Sequence, residues 1–456
     1  MIAAIFSMTR GEGLMQRALR SSSLNVFGFG AQQVLRLGSN LILTRLLFPE
    51  AFGVMAMVSV FLTGLAMFSD VGVSPAIMHS KRGDEPDFLN TAWTMQIIRG
   101  LALWGAACAF AWPISLYFGE PDLVYYLPVA ALTLVIDGFV TTREDTANRH
   151  LRAGRLTVLR LAVQVAGLCA AVGMAWWLRS VWALVLSGLF STLVKVVLFD
   201  LFLPGARNRL RWDPTAVHEL VHFGKWIFLS TVCGFVMNQA DKVVIGGYLS
   251  TSNFGIYNIG YFWASFPFLL GLSVVPKLML PLYRDSPPAA SAENFARLRR
   301  VRGMVTAGLL GLSGIVAIFG VWVIALLYDP RYLAAGGVVT LIAVAQIPVL
   351  IGLTYDQAAL ADGDSRRFFI FTAVRAVLIV AGLAGGTAVA GLPGALIGQG
   401  LAMLGTYPVL IWLARHKGAW DPGHDARFAV IGAGLGAVAL WVNWDAIITL
   451  ARIGPG

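Results

Sequence analysis

Twelve mostly apolar stretches, each long enough to carry a helix across a bilayer core, recur near 22–47, 52–78, 91–117, 122–142, 157–178, 181–203, 221–248, 253–283, 303–327, 333–361, 368–390 and 393–414. In hydrocarbon every backbone N–H and C=O has to be bonded within its own segment, so such a chain is restricted to a bundle of membrane helices. A thirteenth run, 428–450, is interrupted by Asn443 and Asp445 and reads either as one tilted span or as a span followed by an interfacial segment. Only 13% of residues are charged and 57% are hydrophobic, against about 25% charged in soluble domains. The expected fold class is an all-α polytopic membrane protein of 12 to 14 transmembrane helices.

The net charge of +10 raises the question of a nucleic-acid partner, and the placement of the cations answers it. Of 34 Lys and Arg, 22 fall in alternate connections beginning with the segment before the first span, and two, Arg179 and Arg331, fall in the other set. The positive-inside rule places the N-terminus in the cytoplasm, and nucleic acid is not needed to explain the charge. Residues 1–20 carry Arg10, Arg17 and Arg20 without an apolar core followed by a small-residue cleavage site, so no removable signal peptide is read. The three cysteines, Cys108, Cys169 and Cys233, lie far apart inside apolar stretches, which offers neither a disulfide framework nor a metal cluster. The six histidines fall in loops or at span ends, and no cofactor is expected.

The outer connections FPEA (48–51), GEPD (119–122), STSN (250–253) and DPRY (329–332) are tight turns. A membrane glycan polymerase or ligase would need a sizeable outer loop to hold catalytic groups around a sugar acceptor, so the turns weigh against an enzyme.

LTRLLFPEAFGVMAM (43–57) and IGGYLSTSNFGIYNI (245–259) share a pattern: a helix ends, a few polar residues turn, and the next helix starts with Phe-Gly. Leu47, Phe52 and Gly53 match Leu249, Phe254 and Gly255. Chance similarity of two apolar hairpins is the plain alternative. As a repeat, the pattern predicts two six-helix lobes related by a pseudo-two-fold axis along the membrane normal. The layout is then a cytoplasmic segment 1–21, a first lobe 22–204, a basic linker 205–220, a second lobe 221–414, and 415–456 as a basic loop with one more segment.

LILTRLLFPEAFGVMAMVSVFLTGLAMFSDVGV (41–73), FGKW (223–226) and ADKVVIGGYLSTSNFGIYN (240–258) together resemble the Wzx-like oligosaccharide and polysaccharide flippases of the multidrug/oligosaccharidyl-lipid/polysaccharide exporter superfamily. The resemblance runs through about residues 20–415. It implies alternating access and movement of an undecaprenyl-pyrophosphate-linked oligosaccharide across a bacterial inner membrane for surface polysaccharide biosynthesis. It also implies coupling to a gradient of H⁺ or Na⁺, and a glycan polymerase and export machinery as partners.

Ionisable residues within spans are costly and tend to face a bundle interior or a watery cavity. At about 100° per residue, Asn25, Gln32, Arg36 and Asn40 share one face of the first span; Ser59, Thr63, Asp70 and Ser74 share one face of the second; Ser230, Asn238 and Asp241 share one face of the seventh, with Lys242 on the flank. Arg45 lies on the opposite side from Arg36 and near the outer end, where it can snorkel. A pyrophosphate is a compact anion that guanidinium groups bind in bidentate fashion, so Gln32, Arg36, Asn40, Asn238 and Lys242 are the expected substrate-binding residues. Asp70 and Asp241 are the expected ion-coupling carboxylates. At similar depth, Arg36, Asp70, Arg99 and Asp137 form an expected group of two cations and two carboxylates, of which Arg99 and Asp137 are the structural ion-pair members; Asp356 and Arg375 are the comparable structural pair between the tenth and eleventh spans.

Two readings compete with the flippase. A cation or drug exporter of the same superfamily would want lumenal acids without paired cations, whereas Asp70 and Asp241 both have basic neighbours. The membrane glycan polymerase or ligase is disfavoured by the short outer turns.

Overall fold

The computed structural model describes residues 14–69, 72–150, 153–361 and 364–451, and every regular element among them is helical. The chain divides into two compact units, Met1–Val232 and Cys233–Gly456. Nine helices among the described residues have the length and apolar character to cross a bilayer, or ten if one bent pair counts as a single span.

The first unit contains α1 (Leu14–Leu46), α2 (Pro49–Phe68), α3 (Val73–His79), α4 (Pro86–Phe118), α5 (Leu123–Gly138), α6 (Arg143–Arg149), α7 (Ala153–Leu178), α8 (Val181–Phe202) and the first part of α9 (Pro214–Gly246). Pro49 and Pro86 sit in the first turns of α2 and α4, where a missing N–H costs nothing. The expected second span is divided, and the expected fourth is shorter than its apolar run. The second becomes α2 and α3, and the fourth is covered by α5 alone, with α6 following beyond its expected end at a 59° bend. Helix α4 packs along α5, and α7 along both α1 and α8. Gly100 lets α4 approach the Leu134 carbonyl of α5, and Gly138 lets α5 approach Gln96.

The second unit contains the rest of α9, then α10 (Thr251–Ala264), α11 (Phe266–Asp285), α12 (Ala292–Leu327), α13 (Ala335–Ala345), α14 (Ile347–Gly352), α15 (Asp356–Ala361), α16 (Ser365–Gly405), α17 (Tyr407–His416), α18 (Pro422–Val442) and α19 (Trp444–Leu450). Breaks between successive helices fall where a proline follows: Ser265 before Pro267, Gln346 before Pro348, and Thr406 before Pro408. Side-chain caps open α10 (Ser250), α12 (Ser291), α16 (Asp364) and α18 (Asp421). Helix α16 is a hairpin in one element. Ala390 and Gly391 leave helical geometry, Gly391 at φ +59°, and the two arms close backbone to backbone where Gly382 meets Gly398 and Gly386 meets Gly394.

The last apolar run resolves into α18 and the short α19. Asn443 divides them, its buried amide donating to the carbonyls of Ala317 (2.9 Å) and Ile318 (3.1 Å) on α12. At the two similar hairpins, Leu47 and Gly53 are buried in the first unit and Leu249, Phe254 and Gly255 in the second. Trp176, Trp177, Trp441 and Trp444 are exposed at helix ends, as an interfacial aromatic belt requires.

Candidate functional site

The most strongly charged cavity of the first unit, of about 320 Å³, collects Arg99 from α4, Asp137 from α5, Glu144 and Asp145 from α6, Arg160 from α7 and Lys195 from α8. Three cations and three carboxylates thus meet between helices whose outer surfaces are apolar. Lys195 Nζ donates to Asp137 at 2.8 Å and lies 3.8 Å from Glu144, whose other oxygen accepts from Arg160 at 2.7 Å. Asp145, nine-tenths buried, accepts from Ser74 at 2.6 Å. Arg143 turns away from this group and holds the end of α8, donating to the carbonyls of Asp200 (2.8 Å), Leu203 (3.1 Å) and Ala206 (2.9 Å).

Arg99 and Asp137 border this cavity but are not paired to each other. Arg99 donates to Ser69 Oγ (2.9 Å) and to the Ala66 carbonyl (2.6 Å), closing the last turn of α2. Asp137 takes Lys195 instead. Asp70 lies outside the described residues, as do the side chains of Asn25 and Ser230. Arg36 is exposed on α1, while Gln32 and Asn40 are half-buried; the Gln32 carbonyl accepts from Gln164 of α7 at 2.8 Å.

In the second unit Asp241, 4% exposed, accepts from Tyr257 Oη at 2.6 Å. Lys242 lies 3.8 Å from Asp241, stands 4.2 Å over the ring of Tyr261 and donates to the Asn238 carbonyl at 3.2 Å. The three residues expected on this stretch are therefore neighbours, and the carboxylate is compensated locally. Asp356 and Arg375 are close enough to interact electrostatically, but among the described residues they form no ion pair within 4.0 Å.

Sequence reasoning missed a second polar centre. Arg302 is fully buried on α12; its guanidinium stacks 4.2 Å over Tyr355 and donates to Tyr283 Oη at 2.9 Å. Tyr355 Oη in turn donates to Asp425 at 2.8 Å, Trp420 donates to the other Asp425 oxygen at 3.2 Å, and His424 bridges Asp425 (3.0 Å) and Thr306 (3.1 Å). Asp425 and Tyr407 mark the polar end of an apolar cavity of about 590 Å³ between α13, α14, α16 and α18. The signal was present in DPGHD (421–425), a capping aspartate and proline followed by two ionisable residues at the mouth of a span.

Loop carboxylates outside the spans are held ionised. The hydrogen bond from His150, reinforced by Arg149, lowers Asp84, and bonds from Thr215 and Arg82 lower Asp213. Lys417 and Arg367 hold Asp364 far below the usual carboxylate range.

A family model described as polysaccharide biosynthesis protein matches residues 42–335. The succinoglycan biosynthesis transport protein ExoT of Rhizobium meliloti (strain 1021) is 23% identical over 356 residues, covering 76% of this chain and 69% of ExoT. The teichuronic acid biosynthesis protein TuaB of Bacillus subtilis (strain 168) is 20% identical over 322 residues, covering 69% of this chain and 64% of TuaB. Among solved structures, the lipid II flippase MurJ in an inward closed conformation matches with a TM-score of 0.66 at 10% identity, over 94% of this chain and 98% of that one. An inward-facing multidrug resistance MATE family transporter of the MOP superfamily matches with a TM-score of 0.61 at 15% identity, over 85% of this chain and 95% of that one. At these identities the structural likeness speaks for the fold. The family model, which spans well over half of the sequence, places the chain in the polysaccharide biosynthesis protein family.

Proposed function

We propose that this chain is a flippase that carries an undecaprenyl-pyrophosphate-linked oligosaccharide from the cytoplasmic to the outer leaflet of a bacterial inner membrane, by alternating access coupled to H⁺ or Na⁺. The observation that carries the reading is the coincidence of two findings: a polysaccharide-biosynthesis family match over residues 42–335, and a transporter fold that aligns with a lipid flippase over 94% of the chain. The positive-inside asymmetry supports a cytoplasmic N-terminus. In this reading Arg36, Gln32, Asn40, Asn238 and Lys242 contact the cargo, while Asp70 and Asp241 respond to the ion. The cation in closest contact with Asp241 is Lys242, so a change of charge at Asp241 is felt directly at a proposed cargo contact. A glycan polymerase and export machinery are the proposed partners, receiving the flipped oligosaccharide.

The MATE likeness makes an exporter of cationic compounds the second reading. The first unit's cavity bears as many cations as carboxylates, which disfavours cationic cargo. Proteoliposomes offered either a lipid-linked oligosaccharide or ethidium separate the two. The flippase reading expects gradient-dependent translocation of the first and none of the second. Ethidium export without glycan movement would overturn it.

A further inference from the structure

The connection between α8 and α9 is strapped onto the end of α4 by its backbone. The N–H groups of Arg209, Arg211 and Asp213 donate to Asn90 (2.9 Å), Thr94 (3.0 Å) and Thr91 (3.1 Å) of α4. Asn208 accepts from Thr141 Oγ1 (2.8 Å) and the Thr142 N–H (3.1 Å), and its amide nitrogen donates to Thr142 Oγ1 (2.8 Å). With the backbone engaged this way, the side chains of Arg207, Arg209, Leu210, Arg211 and Trp212 are left exposed, Leu210 at 71% and Trp212 at 54%. Arg211 reaches Asp87 at 3.4 Å. Arg207 and Arg209 form no ion pair within 4.0 Å among the described residues, although the Asp200 carboxylate is nearby, 3.5 Å from Arg143.

Arg207 lines a pocket of about 410 Å³ whose apolar walls are Trp93, Phe139, Val196, Val197 and Leu201 and whose lining also includes Asp200, the carboxylate that Arg143 meets at 3.5 Å. Trp93 and Phe139 meet edge to face at 6.2 Å, and Trp93 Nε1 donates to the Phe139 carbonyl at 3.3 Å, so the aromatic floor is fixed. An apolar trough on the flank of a membrane bundle is ordinarily filled by acyl chain. The exposed guanidinium of Arg207 on its lining, with that of Arg209 two residues further along the strap, calls for phosphate. A zwitterionic headgroup brings its own cation, which would compete with the arginines, and a free phosphate would leave the trough empty.

We infer that this pocket and strap form a binding site for an anionic phospholipid, with its phosphate at Arg207 and Arg209 and an acyl chain along Trp93, Phe139 and Val197. The site is complete within the first unit and does not rest on the transport reading, because binding is measured on purified protein without transport.

The test titrates the purified full chain in detergent with dioleoyl phosphatidylglycerol, dioleoyl phosphatidylcholine or glycerol 1-phosphate and follows the melting temperature. Phosphatidylglycerol should give a saturable rise that the other two do not. The double variant Arg207→Gln/Arg209→Gln should bind it about thirtyfold more weakly. A second reading uses a bimane fluorophore on Val197→Cys in a chain without its three native cysteines. Brominated phosphatidylglycerol should quench it more strongly than brominated phosphatidylcholine at equal mole fraction. Equal responses to the two lipids, equal quenching, an unaffected double variant, or glycerol 1-phosphate matching the lipid would each overturn the assignment.

Discussion

Lys195 on α8 lies 2.8 Å from Asp137 at the end of α5 and 3.8 Å from Glu144 at the start of α6, so one ammonium group spans the 59° bend between those helices. Asp137 is more than half exposed, so the pair has the modest strength of a partly solvated bridge, about 1 kcal/mol. Lys195→Met should lower the melting temperature by a few degrees, and Lys195→Arg should retain most of the difference. A Met variant as stable as wild type would mean that the backbone alone sets the bend.

Arg302 is buried with two guanidinium nitrogens, Nε and Nη1, that have no hydrogen-bond partner among the described residues. A desolvated charge held this incompletely contributes little net stability. Arg302→Met, of similar length, should therefore stay within about 1 kcal/mol of wild type, whereas Arg302→Ala, which opens a cavity, should cost about 2–5 kcal/mol. Thermal unfolding in detergent distinguishes them. A collapse of the Met variant equal to that of Ala would show that the charge balances Asp421 and Asp425.

Close backbone approach in the α16 hairpin predicts a sharp contrast between adjacent glycines. A side chain at Gly386 would meet the Gly394 carbonyl, while one at Gly385 meets open space. Gly386→Leu should fail to give a monodisperse protein on size exclusion, and Gly385→Ala should behave as wild type. Equal behaviour of the two would argue against a tight hairpin.

Asp364 caps α16 and is bonded to Lys417 at 2.9 Å and to Arg367, which hold its carboxyl below its unfolded value. A depressed carboxylate stabilises the fold above the unfolded pKa, about 3.9, and that contribution fades as pH falls below it. The melting-temperature gap between wild type and Asp364→Asn should be constant from neutral pH to about 5 and should narrow below about pH 4. A gap that widens on acidification would reverse the assignment.

The all-helical membrane character was legible because a bilayer demands long apolar runs, and the breaks at Ser265, Gln346 and Thr406 are marked by following prolines. Pairings were not. Periodicity ranks residues around one helix axis but says nothing of how neighbouring helices are rotated, so the group drawn around Asp137 did not include Lys195, the cation that meets it. Arg302 was counted among loop cations because α12 begins at Ala292, about ten residues before its apolar stretch. His424 and Asp425 were read as a loop for the same reason, since α18 starts at Pro422. Asp241 and Lys242 were legible because both lie on one helix.

In the proposed function the chain moves a pyrophosphate-linked glycan past Arg36. Its most direct test measures flipping of a lipid-linked oligosaccharide in proteoliposomes carrying wild type, Arg36→Lys, Arg36→Ala or Arg45→Ala at equal protein levels. Lysine keeps the charge but loses the planar fork that binds phosphate in bidentate fashion. Partial flipping is expected for Arg36→Lys, none for Arg36→Ala, and near wild-type rates for Arg45→Ala. Wild-type flipping by Arg36→Ala, or a larger defect in Arg45→Ala, would show that the cargo does not pass Arg36.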